Sequence, residues 1–485
     1  MKRNLDDLIR GLEKIEISRT ENLVINGVTN DSRQVKKGYV FVAIRGDRSD
    51  GHNYILSAID NGAKVVVVDR DFNEHFGDDI CIVKCQNTHL AYSCICANWF
   101  KRPSEKLKIV GVTGTNGKTS VTTLLYNLFK GLGYKVGLIS TVEVLIDSDR
   151  YETSMTTPDA FVLHDYFVQM YERGCSYVFM EVSSHALDQH RVSHVDFDVA
   201  VFTNITHDHL DYHGSFKDYI GAKKKLFDMM GEDAVAIVNA DEANGAVMLQ
   251  NCIAYHKTYG VRSMTDYKAK ILSSESNGML LEFNGIQFYT RLVGRFNVYN
   301  LLSVYGVSME ILDLDEVEVI EALSSLVTVK GRMEVVHAKP YVIVDYAHTP
   351  DALNNVLKTI KETYSGEVIV VVGCGGDRDQ AKRPIMGKIA ALYGDHVILT
   401  SDNPRSELPD GIIDDMLSGI DASRQHKVLR IVDRAMAIKT ALKISEKKDV
   451  VIIAGKGHEE YQEIRGEKKY FSDQKTVKDI LSKDI

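Results

Sequence analysis

One stretch, GVTGTNGKTS at residues 111–120, constrains this chain more than any other. An apolar run, KIVGV, leads into it, an amphipathic run, SVTTLLYNLF, leads out, and a second apolar run, KVGLIS, follows. The order is strand, glycine loop, helix, strand: one βαβ unit of a parallel sheet. Gly111, Gly114 and Gly117 let backbone N–H groups curl toward an anion. Lys118 adds a point charge, and the Thr119 hydroxyl stands where a phosphate-bound Mg²⁺ is met at the start of a helix. The spacing departs from the common P-loop, because Val112 takes the place of the first glycine. A plain βα turn with a surface lysine needs neither three glycines nor the Lys-Thr pair, so phosphate binding is the reading.

The rest of the chain repeats this α/β alternation. Apolar strands (YVFVAI, KVVVVD; SYVFMEV, FDVAVFTNI, AVAIVNA; YVIVDY, EVIVVVG, HVILTSD, DVVIIAG) alternate with helical lengths in three segments, which close near 104, near 327 and at the end of the chain. At 485 residues, three domains of ordinary size are expected. The first 17 residues are amphipathic and carry Asp6 and Asp7 where a secretory signal needs an apolar core. No apolar run is long enough to cross a bilayer, so a cytoplasmic protein without membrane insertion is expected. A net charge of −9 argues against a nucleic-acid surface, so any anionic ligand must meet local clusters of cations and N–H groups. The seven cysteines are scattered and odd in number, and buried free thiols are expected, with Cys94 and Cys96 inside the helix-like LAYSCICANWF.

Several stretches allow two readings. The histidines of HDHLDYH (His207, His209, His213) could form a zinc site, a hydrogen-bonded loop or part of a magnesium site. The lysine run Lys223, Lys224 and Lys225 reads most plainly as a solvated helix face. GCGGDRD resembles half a dinucleotide fingerprint but has Arg378 where the last glycine belongs, so NAD binding is not expected. In TSDNPRSELP, Arg405 could bridge its own Asp402 or Glu407, or hold its guanidinium still for something arriving from outside.

The variant TGTNGKT resembles the nucleotide loop of the Mur ligases of peptidoglycan synthesis and of their folylpolyglutamate synthetase relatives. EVSSHALDQHR, TNITHDHLDYHG, YIGAKKKLF, GRFNVYN, KGRME, DYAHTPDAL, GCGGDRDQAKRP, DNPR and GKGHE follow in the order of the family's blocks and span essentially the whole chain. The resemblance implies an α/β protein of three domains: a UDP-sugar-binding domain at 1–104, a central P-loop-type parallel-sheet ATPase domain at 105–328, and a Rossmann-like C-terminal domain at 329–485 that binds an amino acid. It implies a cytoplasmic, monomeric ligase that joins a carboxylate to an amine with ATP, through an acyl phosphate and a tetrahedral intermediate.

The family's site residues carry over position by position. ATP would meet Thr113, Gly114, Thr115, Asn116, Gly117, Lys118, Thr119 and Ser120, with Asn297, Arg332 and Asp345, the last two from the third domain. Mg²⁺ would be held by Thr119, Glu181, His209 and Lys223, the last as an N6-carboxylysine formed with CO₂, which requires a neutral amine. With Lys118, the residues Glu181, His209 and Lys223 are the implied catalytic set. The substrate UDP-N-acetylmuramoyl dipeptide would meet Asn30, Ser32, Thr156, Thr157, Ser183, Gln189 and Arg191; Met155 stands where some relatives have Asn. Family members with Asp-Asn-Pro-Arg resemble adders of meso-diaminopimelate, whereas L-lysine adders lack the arginine. Arg378, Asp402, Asn403, Pro404, Arg405, Gly455 and Glu459 are the implied contacts, and a guanidinium fork suits the second carboxylate that lysine does not have. The competing readings are folylpolyglutamate synthetase and a catalytically silent nucleotide-binding regulator, against which stand Lys118, Glu181, His209 and Lys223.

Overall fold

β-branched runs buried on both faces account for most of the architecture. Val199–Phe202, Val368–Val372 and Val450–Ala454 are buried at every position, as strands of a parallel sheet covered by helices on both sides must be. The structure, a computed structural model, describes residues 2–18, 23–46, 49–71, 79–153 and 155–482.

Three sheets carry the fold. The first orders its strands Glu16–Ile17, Cys81–Lys84, Ala63–Val68, Tyr39–Val42 and Gly27–Thr29, parallel except at its first pair. In the second, Lys108–Thr113 lies between Tyr177–Glu181 and Val199–Phe202, with Val136–Ile139 beyond the former and Val235–Asn239 and Tyr255–Gly260 beyond the latter, all parallel. On one side the antiparallel strands Val144–Ile146 and Asp149–Tyr151 extend the edge; on the other Tyr267–Glu275 pairs parallel to Tyr255–Gly260 and is followed by the antiparallel Gly278–Phe283 and Ile286–Thr290. These edge hairpins were not anticipated from the strand runs. The third sheet orders Glu334–Ala338, Tyr341–Asp345, Val450–Ala454, Val368–Val372, His396–Leu399 and Val428–Arg430, parallel except for its first strand.

The α/β expectation therefore holds, and each quoted strand run forms a strand. LAYSCICANWF lies within the helix Thr88–Trp99 except for its last residue, Phe100, which caps the helix end; the first turn is capped by the Asn87 side chain accepting from His89 N and Leu90 N. All seven cysteines are free and buried. The amphipathic N-terminus forms only a one-turn helix, Leu5–Leu8, before leading into short strands. Among the described residues, no helix is long and apolar enough to cross a membrane.

One buried ion pair fixes the last sheet near the site. Arg434, at the start of helix Arg434–Ile444, is fully buried and donates from Nε and Nη2 to Asp473 at 2.8 Å each, and from Nη2 to the Ala454 carbonyl at 3.1 Å. Asp473 opens the helix Asp473–Leu481, so the pair ties that helix to the carboxyl end of the central strand. Removing one partner leaves a buried charge uncompensated. Asp473→Ala is expected to lower the opening free energy of amides 450–454 by about 3–5 kcal/mol, measured by native-state hydrogen exchange.

Candidate functional site

In an open parallel sheet, the loops leaving the carboxyl ends of the strands form the binding crevice. Here two sheets present those ends to one cavity of about 830 Å³. From the second sheet it is lined by residues 115–120, Glu181, Thr203, Asn204 and Asn239. From the third come Asp345, Gly373, Asp402, Asn403, Gly455 and Glu459.

The glycine loop is held from both sides. Asn116 N donates to Asn204 Oδ1 at 2.9 Å, Thr115 N donates to the Asn204 carbonyl, and Thr203 Oγ1 donates to the Asn116 carbonyl at 2.6 Å. Helix Lys118–Gly131 starts directly after Gly117, so its first N–H groups face the loop's concavity. Lys118 Nζ donates to the carbonyls of Gly114 (2.8 Å) and Thr115 (3.0 Å), and burial pulls its pKa below the ordinary lysine value. Thr119 Oγ1 donates to Glu181 Oε1 at 2.8 Å. Glu181 itself is 1% exposed and also accepts from Thr141 N and Thr141 Oγ1.

Lys223 departs furthest from the plain reading of its surroundings. Lys224 and Lys225 pair with Asp228 and Asp188. Lys223 is 1% exposed, lies over the Tyr219 ring at 4.6 Å, and donates to the Gly114 carbonyl at 2.9 Å. Burial, reinforced by the charge of Lys118, holds its pKa well below the ordinary lysine value. The solvated-face reading therefore fails at this position, because the helix Phe216–Asp228 turns that face inward.

The three histidines part company. His207 Nε2 lies 3.2 Å from Asp379 Oδ2, and His213 Nε2 lies 3.0 Å from Ser184 Oγ. His209 lines the cavity with its ring edge-on to His185 and Nε2 3.4 Å from Asp208. Among the described residues no group of three His, Cys, Asp or Glu side chains is placed to hold a metal, so the zinc reading has no ligand set.

The third sheet reaches across the cavity at named points. Arg332 Nη2 donates to Thr119 Oγ1 at 3.0 Å, with its guanidinium over the Tyr346 ring at 4.4 Å. Asn116 Nδ2 donates to Asp351 at 3.0 Å. Asp345 accepts from Met333 N and Ala347 N, and burial raises its pKa. Asn297 is turned away from the cavity: Nδ2 donates to the Val293 carbonyl and Oδ1 accepts from Asn300, which lines the cavity instead.

A second cavity of about 510 Å³ joins the first sheet's loops to the second, with Asn30, Arg45, Tyr92, Asp159, Gln189 and Arg191 in its wall. Arg191, Gln189 and Met155 line both cavities. Arg191 donates to Gln189 Oε1, to the Thr157 carbonyl and to Met155 Sδ, so a thioether stands where some relatives place an amide. Thr157 donates to the Glu181 carbonyl and accepts from Ser183 N. Thr156 accepts from Thr141 Oγ1 at 3.1 Å. Ser32 is buried in the turn Ser32–Gln34 and belongs to neither cavity wall.

Arg405 bridges neither Asp402 nor Glu407. Glu407 accepts from Arg383, a 1% exposed guanidinium, and from Asp377 N, so it joins DNPRSE to GCGGDRD. Arg405 Nη1 donates to the Gly376 carbonyl at 2.6 Å, and Nε lies 3.5 Å from Glu463. Asn403 donates to Glu459 at 2.8 Å, and the fully buried Lys456 donates to both Asn403 Oδ1 and Glu459. Gly455 sits at φ +113, where a Cβ would stand 2.5 Å from Asp402 Oδ2. Arg378 lines the same wall, and Pro404 fixes the turn before Arg405. Thr141, Asn204, Lys456 and Glu463 were missed in the sequence. Asn204 and Lys456 lay inside recognisable blocks, TNITHDHLDYHG and GKGHE, whereas Thr141 and Glu463 did not.

Residues 112–308 match the family model described as Mur ligase middle domain, 331–457 that described as Mur ligase, glutamate ligase domain, and 24–98 that described as Mur ligase family, catalytic domain. The chain is similar to UDP-N-acetylmuramoyl-L-alanyl-D-glutamate--2,6-diaminopimelate ligase of Parabacteroides distasonis, 47% identical over 482 residues with 99% of each chain covered. A solved structure of a ligase of that same name is 31% identical, covers 100% of both chains and superposes with a TM-score of 0.70. The MurF ligase from Thermotoga maritima in complex with ADP shares the fold at 19% identity, covering 96% of this chain and 99% of that one, with a TM-score of 0.59.

Gly114, at φ +151, is the loop position least able to accept a side chain: a Cβ there would stand 1.9 Å from Thr203 Oγ1 and 3.0 Å from the Asn204 carbonyl. Gly114→Ala is expected to weaken ADP binding about tenfold or more in calorimetry, with the far-ultraviolet circular dichroism spectrum unchanged.

Proposed function

This chain belongs to the Mur ligase family, and on that premise we propose that it joins meso-2,6-diaminopimelate to UDP-N-acetylmuramoyl-L-alanyl-D-glutamate, with ATP cleaved to ADP and phosphate, in cytoplasmic peptidoglycan precursor synthesis. The observation that carries the reading is the convergence on one cavity of the glycine loop, Arg191 and the Asp402-Asn403-Pro404-Arg405 loop. One chain, in this reading, supplies the contacts for all three substrates and works as a monomer. In this reading the chain divides at 1–104 for the UDP-sugar, 105–328 for ATP and 329–485 for the amino acid.

The chemistry follows from where the charges lie. The helix N-terminus, Lys118 and Arg332 bind the triphosphate, with Asp345 at the ribose. The D-glutamyl carboxylate oxygen attacks the γ-phosphorus, the bond to the bridging oxygen breaks, and ADP leaves with that electron pair. The diaminopimelate amine then attacks the acyl carbon, a proton is lost from nitrogen, and phosphate departs as the tetrahedral centre collapses. Negative charge builds on the phosphoryl and acyl oxygens in turn. Cations preorganised around those oxygens stabilise that charge more strongly than water does. Arg191, braced by Gln189 and the Thr157 carbonyl, orients the muramoyl peptide.

The donor set of Thr119 and Glu181, with Lys223 as a carbamate, is oxygen throughout and fits Mg²⁺, with His209 alongside on the cavity wall. When bound, Mg²⁺ supplies Lewis-acid stabilisation to phosphate oxygens. The buried, proton-poor Lys223 amine suits attack on CO₂, forming an N–C bond and releasing one proton. Lys223→Ala is expected to cut turnover roughly a hundredfold or more. Short carboxylic acids should restore part of it. Wild-type protein in ¹³C-bicarbonate should show a carbamate resonance that the variant lacks.

Amino-acid preference tests the function. Arg405 keeps 23% of its side chain exposed and has Glu463 beside it, so leaving it without a carboxylate costs nearer 2 than 5 kcal/mol. Phosphate release should therefore favour diaminopimelate over L-lysine by roughly thirtyfold in kcat/KM. Arg405→Ala should erase that preference and leave the KM for ATP unchanged. Equal use of both amino acids by the wild-type enzyme would refute the assignment.

A further inference from the structure

Arg405 is held in a conformation its own loop does not enforce. It is not glycine, yet it sits at φ +50, the left-handed region that side chains disfavour. Pro404 sets only its own φ. What imposes the turn lies about sixty residues further on, in the hairpin of Tyr461–Ile464 and Glu467–Tyr470. This hairpin closes through Arg465 and Gly466, both at positive φ, a two-residue turn matched to the strand twist.

Four hydrogen bonds run between the first strand of the hairpin, with its turn, and the recognition loop. Arg405 N donates to the Glu463 carbonyl at 3.0 Å, and Arg465 N donates to the Arg405 carbonyl at 2.7 Å, so Arg405 is gripped on both sides as if it were a strand residue. Gln462 Nε2 donates to the Asp402 carbonyl at 2.7 Å, and Glu463 N donates to Asn403 Oδ1 at 2.9 Å. The outer strand is exposed along its length, and a two-stranded ribbon is marginal by itself. Hairpin and loop therefore order one another.

The guanidinium is apportioned in the same way. Of its five N–H donors, one on Nη1 goes to the Gly376 carbonyl, and Glu463 lies at the Nε edge. The end of the fork, Nη2 with the second Nη1 hydrogen, is what remains for a carboxylate in the cavity that Arg405 lines. We propose that Gln462 and Glu463 are positioning residues for amino-acid selection: through the Asp402 carbonyl and the Nε edge of Arg405 they set the angle at which the fork meets the distal carboxylate of the incoming diamino diacid. The proposal rests on the ligase reading given above.

Steady-state kinetics of wild-type, Gln462→Ala, Glu463→Gln and Gln462→Ala/Glu463→Ala enzymes test it, with each of the three substrates varied in turn. The double variant is expected to raise the KM for diaminopimelate about tenfold, keep kcat at saturation within about twofold, and leave the KM values for ATP and the UDP-muramoyl dipeptide unchanged. Gln462→Ala alone should raise the same KM by a smaller factor. Glu463→Gln keeps an oxygen of the same reach beside Nε and should stay within about twofold of wild type, because a pair about a quarter exposed to water gains little from its charge. An unchanged KM for diaminopimelate in the double variant, or a rise shared by all three substrates with a fall in kcat, would overturn the proposal. A wild-type enzyme that does not consume diaminopimelate would instead overturn the ligase reading beneath it.

Discussion

The site depends on two parallel sheets ending against one another. Each sheet alone presents a row of strand carboxyl ends with loops that can bind one ligand. Both sets of strand ends line a single cavity, and Arg332 of the third sheet's side reaches Thr119 of the second at 3.0 Å. Asn116 to Asp351 and His207 to Asp379 mark the same seam. These contacts tie the two sides of the cavity together, and charges buried along it act through a lower dielectric than water.

Several charged groups along this cavity are buried with hydrogen-bond partners and no opposite charge. Lys118 and Lys223 both donate to the Gly114 carbonyl, and two ammonium groups on one acceptor repel each other. Burial and this repulsion act in the same direction on Lys223, toward the neutral amine. Glu181, one strand away, is satisfied by three hydroxyl and amide donors and not by a cation. The arrangement is a set of charges held apart by hydrogen bonds. In the proposed reaction the triphosphate completes it.

Much of this was legible in the chain. The glycine loop declared its strand and helix because φ > 0 at Gly114 and Gly117 and the Lys-Thr pair are local requirements. The valine-rich runs declared parallel strands because a strand buried on both faces has no room for polar alternation. The blocks carrying Glu181, Arg191, Arg332, Asp345 and Arg405 were visible through the resemblance to the family's ordered blocks; Glu181 and Asp345 close strands, whereas Arg332 precedes one. The antiparallel edge hairpins were not legible, since strands such as 267–275 and 286–290 mix polar and apolar residues and lie on an edge that tolerates either. Asn297 and Ser32 illustrate another gap, because a motif position says nothing of whether the side chain faces the cavity or braces the backbone behind it.

The order of elements, the phosphate loop and the identity of the cations were set by the chain itself, since each follows from spacing within a few residues. Which face of the 216–228 helix is inside, which carboxylate Arg383 takes from Arg405, and which hairpin holds Arg405 in a left-handed turn were settled only in the folded molecule. Those outcomes turn on contacts between groups about twenty to more than one hundred residues apart. Distance along a chain carries no force, whereas an unpaired charge or amide in a dry cavity must find whichever partner the packing brings within about 3 Å.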